Sequence, residues 1–188
     1  KENPERPVGS DRVHLTTRTP LAGDLAFVFP GSGNQFLGMT TDLGAQWPEV
    51  LRRHDAENGY LRDQMTPRQV APWRLTWEKG WETAAERALN EDYHALIFGS
   101  VAHGAAASDL LRLFGVEPNA VVGYSLGETS GLFATRAWTA RDEMLRRMRS
   151  SSLFTSELAG PCDAARQFWN LPAGEKVDWV LGVVDRPA

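Results

Sequence analysis

The chain has 188 residues, the size of one ordinary domain and too short for two complete ones. Hydrophobic residues make up 42% and charged residues 23%, which supports a real core and excludes wholesale disorder. Twenty Lys and Arg stand against 24 Asp and Glu, a net charge of −4 that excludes a generally basic nucleic-acid binder. A single cysteine, Cys162, can build neither a disulfide framework nor a cysteine-based zinc site. The reducing cytoplasm is therefore the expected compartment. No apolar run approaches the ~18 residues of a membrane span, and no signal peptide opens the chain. The start at Lys1, without methionine, reads as a piece of something longer.

In chain order, residues 1–23 are rich in Pro, Arg, Thr and Asp without sustained period and read as an interdomain linker. Leu25-Ala-Phe-Val-Phe29 is a short apolar run bounded by Pro30-Gly-Ser-Gly33, the pattern of a buried parallel strand. Broken helical patterning follows from about Pro48 to Leu89. Tyr93 to Phe114 reads as one long helix whose small-residue middle, Gly99 to Ser108, allows close approach to a neighbour; Gly115 stops it. Ala120-Val-Val-Gly-Tyr124 is a second buried strand, leading straight into Ser125 and a new helix. Thr139 is the expected cap of the next helix, with Asp142 and Glu143 suiting its positive end. A short helix is expected within Pro161–Asn170, and Val177–Val184 is strand-like.

Gly123-Tyr124-Ser125-Leu126-Gly127 is a G-x-S-x-G pattern placed between a strand and a helix, the context in which it acquires meaning. The turn there is so tight that side chains at Gly123 and Gly127 would strike neighbouring backbone, while the serine oxygen is thrust outward. The Leu126 amide, at the positive end of the new helix, can point at a developing oxyanion. The plain alternative is an ordinary strand-to-helix turn. Phe29-Pro-Gly-Ser-Gly-Asn-Gln35 likewise follows a strand, and exposed amides in a Gly-rich turn can cradle anions or complete an oxyanion hole. Gly31, Gly33 and Gly38 do not space as G-x-G-x-x-G and no P-loop lysine follows, which argues against nucleotide binding.

Together, Phe29-Pro-Gly-Ser-Gly-Asn-Gln35 with Gly38-Met39 and Val122-Gly-Tyr-Ser-Leu-Gly-Glu128 resemble the paired signature of one family. It comprises the malonyl-CoA:acyl-carrier-protein transacylases and the acyltransferase domains of polyketide and polyunsaturated-fatty-acid synthases. The resemblance runs from about Asp24 to about Val184. Two departures, Ser32 for the family's glutamine and Tyr124 for its histidine, are similar to acyltransferase domains of iterative polyene or enediyne-type synthases. The resemblance implies an α/β-hydrolase-like core with a parallel sheet and nucleophile elbow over 24–175. It also implies the start of a small ferredoxin-like subdomain at 176–188, with the chain cut short.

The same resemblance implies Ser125 as nucleophile and the backbone amides of Leu126 and Ser32 as the oxyanion hole. Tyr124 and Gln35 would adjoin the substrate, and Arg149 would pair with the free carboxylate of malonyl. Arg149 falls one residue short of the family's spacing, with Arg141 the next candidate; the alternative is that these arginines only solvate a surface helix. The family's general-base histidine would lie after the serine, whereas His14, His54, His94 and His103 all precede it. The implied activity is transfer of an acyl group, malonyl first, from CoA to the phosphopantetheine thiol of an acyl carrier protein. No bound cofactor or metal is implied, the protein partners are the carrier and a neighbouring ketosynthase domain, and no nucleic acid or membrane is involved. A serine hydrolase or thioesterase of the α/β type, and a non-catalytic docking module of a synthase, are the alternatives.

Overall fold

A computed structural model describes residues 23–178 except 75 and 173. The linker expected at 1–23 and the strand expected at 176–188 therefore lie almost wholly outside the described residues. So does the expectation that this strand opens a ferredoxin-like subdomain.

Among the described residues, two parallel strands form the sheet. β1 (Ala26–Phe29) pairs with β2 (Ala120–Gly123), with Ala26 opposite Ala120 and Phe29 opposite Gly123. Side chains alternate across a strand. Phe27 and Phe29 accordingly turn inward and are buried, while Val28 is 73% and Val122 53% exposed on the other face.

The helices come in two sets. Between the strands run α1 (Thr41–Gln46), α2 (Pro48–Glu57), α3 (Leu61–Met65), α4 (Pro67–Val70), α5 (Trp81–Glu91) and α6 (Tyr93–Leu113). After β2 come α7 (Leu126–Ala134), α8 (Arg141–Ser150), a single π-helical turn at Leu153–Glu157, and α9 (Asp163–Phe168). α6 is the axis of the molecule. The Asp92 side chain accepts from the Ala95 amide at 3.0 Å and caps its start. Gly115, at φ 75°, ends it in the left-handed conformation expected of a C-terminal glycine.

The small residues of α6 serve the close approach read from the sequence. A Cβ at Gly104 would already touch the Phe29 ring at 3.4 Å, so the strand's aromatic lies directly on the helix backbone. Phe27, Phe29, Ala105 and Ala134 form one core cluster there. On an adjacent face, Ala102 and Ala106 join Val50, Leu61 and Met65 in a second. A third, Val70, Leu89 and Ala95, receives Leu37 from the loop after β1. Among the described residues, no helix is long and apolar enough to cross a membrane.

One helix start differs from expectation. Ala140, not Thr139, is the N-cap of α8, and no side chain caps it. Asp142 faces elsewhere, accepting from the Gly59 amide at 2.7 Å and from Gln64 Nε2 at 2.6 Å. It fastens α8 to the α2–α3 corner instead of serving its own first turn.

Candidate active site

β2 runs out through Tyr124 into Ser125, and α7 begins at the next residue. Ser125 adopts φ 53° and ψ −119°, a conformation that an L-residue occupies only when its surroundings force it. The force is visible at the flanking glycines. A Cβ on Gly123 would lie 2.2 Å from the Glu128 nitrogen, and one on Gly127 would lie 2.1 Å from the Phe29 carbonyl oxygen. No side chain fits either position, so the turn closes fully and Ser125 stands exposed at the carboxyl edge of the sheet. Leu126 is the first residue of α7, where N–H groups have no acceptor in a preceding turn.

The glycine-rich loop after β1 arrives at the same place. A Cβ on Gly31 would lie 3.1 Å from Tyr124 Cδ1 and 3.4 Å from Ser125 Cβ. The two motifs, distant in sequence, are thus in van der Waals contact, with the Tyr124 ring across Gly31 and still 78% exposed. Ser32 follows on the exposed rim. Asn34 Nδ2 closes the turn by donating to the Gly31 carbonyl at 3.0 Å.

The loop is tied down from behind. Gln35, only 8% exposed, donates through Nε2 to Asn90 Oδ1 at 2.8 Å, and its own Oε1 is buried without a partner. The Gly38 amide donates to the Val70 carbonyl at 2.6 Å. Thr40 meets His103 Nδ1 at 2.6 Å, while His103 Nε2 lies 3.1 Å from the Met65 carbonyl. A carbonyl only accepts, so Nε2 carries the proton and Nδ1 accepts from the Thr40 hydroxyl. Burial, against a smaller opposing effect of the Met65 hydrogen bond, pushes the His103 imidazole down to about 4.

The remaining histidines are engaged elsewhere. His54 is buried, accepting at Nδ1 from Arg141 at 2.7 Å, with Nε2 2.9 Å from Asp109 Oδ2 but out of line for a hydrogen bond. His94 donates to the Asp63 carbonyl at 3.1 Å and stacks on Phe98. His14 lies outside the described residues.

Asp109 is the centre of a buried ionic cluster. Arg136 contacts both its oxygens, at 2.8 and 2.6 Å, and also reaches Glu57 at 2.9 Å. Burial pushes the Asp109 carboxyl up, but His54 Nε2 beside it and the hydrogen bonds and charge of Arg136 outweigh it. The carboxyl is held well below its usual range.

The arginines of α8 divide into three roles. Arg141 is buried against Asn58 and His54, and desolvation followed by the nearby Arg136 charge lowers its pKa. Arg146 and Arg147 both bind Glu143 on the surface and, chiefly through those hydrogen bonds, hold its carboxyl down to about 2. Arg149 donates through Nη2 to Asp63 at 2.8 Å and lines a cleft of about 360 Å³ with Asp63, Thr66 and His94. Asn90, Thr66 and Asp63 carry no sequence signal of their own, since each acquires its contact only through tertiary packing.

No family model matches the chain. In sequence it is similar to stretches of polyketide synthases. It is 36% identical over 120 residues to the highly reducing polyketide synthase NEC1 of Pyricularia oryzae, covering 64% of this chain and 4% of that protein. It is 29% identical over 177 residues to the highly reducing polyketide synthase dmxL2 of Cryptosporiopsis sp., covering 92% of this chain and 7% of that one. The chain thus spans only a small part of the curated relatives it matches. Among solved structures, the acyl transferase domain of ZmaA matches with a TM-score of 0.50 at 22% identity, over 65% of this chain and 27% of that one.

The fold is that of an acyltransferase domain. The sequence kin are polyketide synthases, and the family resemblance carried by the two glycine motifs is borne out.

Proposed function

We propose that the chain carries the nucleophile and the oxyanion donors of an acyltransferase working within a polyketide or fatty-acid-type synthase in the cytoplasm. The observation that carries this reading is the contact of the Gly31 loop with Tyr124 and Ser125, with the serine held at positive φ. That arrangement is a nucleophile elbow facing a second source of amides.

Ser125 Oγ attacks the thioester carbonyl of an acyl-CoA, malonyl-CoA foremost. The amides of Leu126 and Ser32 take the charge that develops on oxygen, and collapse expels the CoA thiol to leave an acyl-serine. The phosphopantetheine thiol of an acyl carrier protein then attacks that ester and frees the serine. The thioester supplies the activation, so the reaction calls on no metal or resident cofactor. Tyr124 and Gly31 wall the acyl group, and Gln35 holds the loop. Arg149 pairs with the malonyl carboxylate. His103 has both ring nitrogens hydrogen-bonded and His54 is buried against Arg141 and Asp109, so neither is assigned as the general base. The carrier and an adjoining ketosynthase domain are the protein partners.

Intact mass of the full-length protein after incubation with malonyl-CoA tests the assignment. A malonyl increment is expected on wild type and none on Ser125→Ala. An adduct that persists in the alanine variant would remove Ser125 from the mechanism, whereas fast release of free malonate without a carrier would mark a hydrolase.

A further inference from the structure

The cleft beside Arg149 is lined by Arg62, Asp63, Thr66, Arg68 and His94, among others, and so carries three guanidinium groups against one carboxylate. That one carboxylate is not free: Asp63 Oδ2 sits on Arg149 Nη2 at 2.8 Å. Both side chains are about half exposed, at 51% and 41%, so the pair is a weak one that a better-placed carboxylate can displace. A second observation points to a ligand. Thr66 lines the same cleft, is 4% exposed, and has its hydroxyl buried with no partner. Thr66 also sits at φ 44°, a left-handed conformation that a β-branched residue adopts only under constraint. A donor kept dry and unpaired is costly unless something eventually accepts from it.

We propose that Asp63 is a specificity-determining residue of the acyl site, occupying on Arg149 the place that the carboxylate of a dicarboxylic acyl group takes when it binds. Binding is then an exchange of one carboxylate for another, with Thr66 Oγ1 available to the incoming oxygen. An acyl group without a carboxylate leaves the Asp63–Arg149 pair closed and gains nothing from the cleft. Arg62 and Arg68 raise the local potential and favour an anion over a neutral group. The proposal rests on the reading of Arg149 as the carboxylate clamp.

Loading of the full-length protein with malonyl-CoA and acetyl-CoA, in wild type, Asp63→Asn and Arg149→Ala, tests it, together with binding of free malonate and acetate. Removing the competing carboxylate in Asp63→Asn should lower KM for malonyl-CoA by about two- to five-fold with kcat unchanged, the range set by an exposed ion pair. The Kd for malonate should fall by the same factor, acetyl-CoA and acetate should be unaffected, and the gain should shrink at high salt as the pair is screened. An unchanged malonyl KM in Asp63→Asn, with Arg149→Ala still depressing malonyl loading selectively, overturns the role of Asp63 alone. A malonyl-to-acetyl ratio unmoved by Arg149→Ala overturns the clamp, and Asp63 falls with it.

Discussion

At Ser32 the proposed chemistry depends on the peptide N–H and is indifferent to the side chain. The residue stands on the rim of the Gly31 loop, where a hydroxyl faces solvent. Ser32→Ala should therefore keep most acyl-loading activity. Ser32→Pro has no N–H to offer and should lose on the order of 10²–10³ in rate, the usual cost of one oxyanion donor. Rates measured side by side would decide; equal damage from both substitutions would show that the hydroxyl takes part. This indifference also explains why a departure from the family's glutamine at position 32 did not obscure the motif. Gly31, Gly123 and Gly127 were legible for the opposite reason: each leaves no room for any side chain, and that demand is written in the residue type. Asp63, Thr66 and Asn90 were illegible because their partners lie on other elements, at sequence distances that no local period encodes.

At the scale of the element, α6 does two things that the sequence showed unequally. Its length, its stop at Gly115 and its small-residue face were all readable, because helix periodicity and terminator chemistry are local. The use of His103 as a rivet between the loop after β1 and the end of α3 was not. An imidazole buried and neutral in the folded chain, at about 4 against an ordinary 6.5, favours unfolding as acid is added. The sign follows from proton counting, since the unfolded chain binds the proton first. Stability should be full above pH ~6.5 and fall as the pH drops toward 4, by at most roughly 3 kcal/mol from this group. Urea unfolding at stepped pH would measure it, and His103→Gln should flatten the slope in that window. A slope unchanged by the substitution would assign the acid sensitivity to other groups. The cap of α8 gives the reverse lesson. Thr139 has the composition of a cap, yet the chain uses Asp142 to bind the α2–α3 corner, and tertiary need overrides the local rule.

For the whole molecule, the ionic cluster around Asp109 is the main tie between parts far apart in sequence. It joins α2 through His54 and Glu57, α6 through Asp109 itself, the α7–α8 connection through Arg136 and the start of α8 through Arg141. Asp109→Asn would leave Arg136 with the Glu57 carboxylate alone and would put a neutral amide beside His54 Nε2. Losing the buried carboxylate that both guanidinium nitrogens of Arg136 contact should make this variant unfold at lower denaturant while Ser125 chemistry persists in the folded fraction. A midpoint within error of wild type would show that the cluster serves no structural end. Because the Asp109 carboxyl is held below its usual range, its contribution is complete above pH ~4 and is lost only in stronger acid. None of this cluster was visible in the sequence. His, Asp and Arg on separate helices look like solvated charge until packing brings them together.

The backbone of Ser125 has a further consequence for anyone who engineers the protein. Among the described residues, six other than glycine sit at positive φ, namely Thr40, Thr66, Ser125, Arg136, Cys162 and Asn170. Each is a place where glycine would relax the chain, and a stability-driven redesign would treat them alike. They are not alike. Cys162 and Asn170 flank α9 and have no part in the proposed chemistry. At Ser125 the most comfortable residue for the fold is one with no oxygen to attack with. Selection for heat resistance alone would drift this position toward an inert, better-folded protein, so any such screen needs acyl loading as a second criterion.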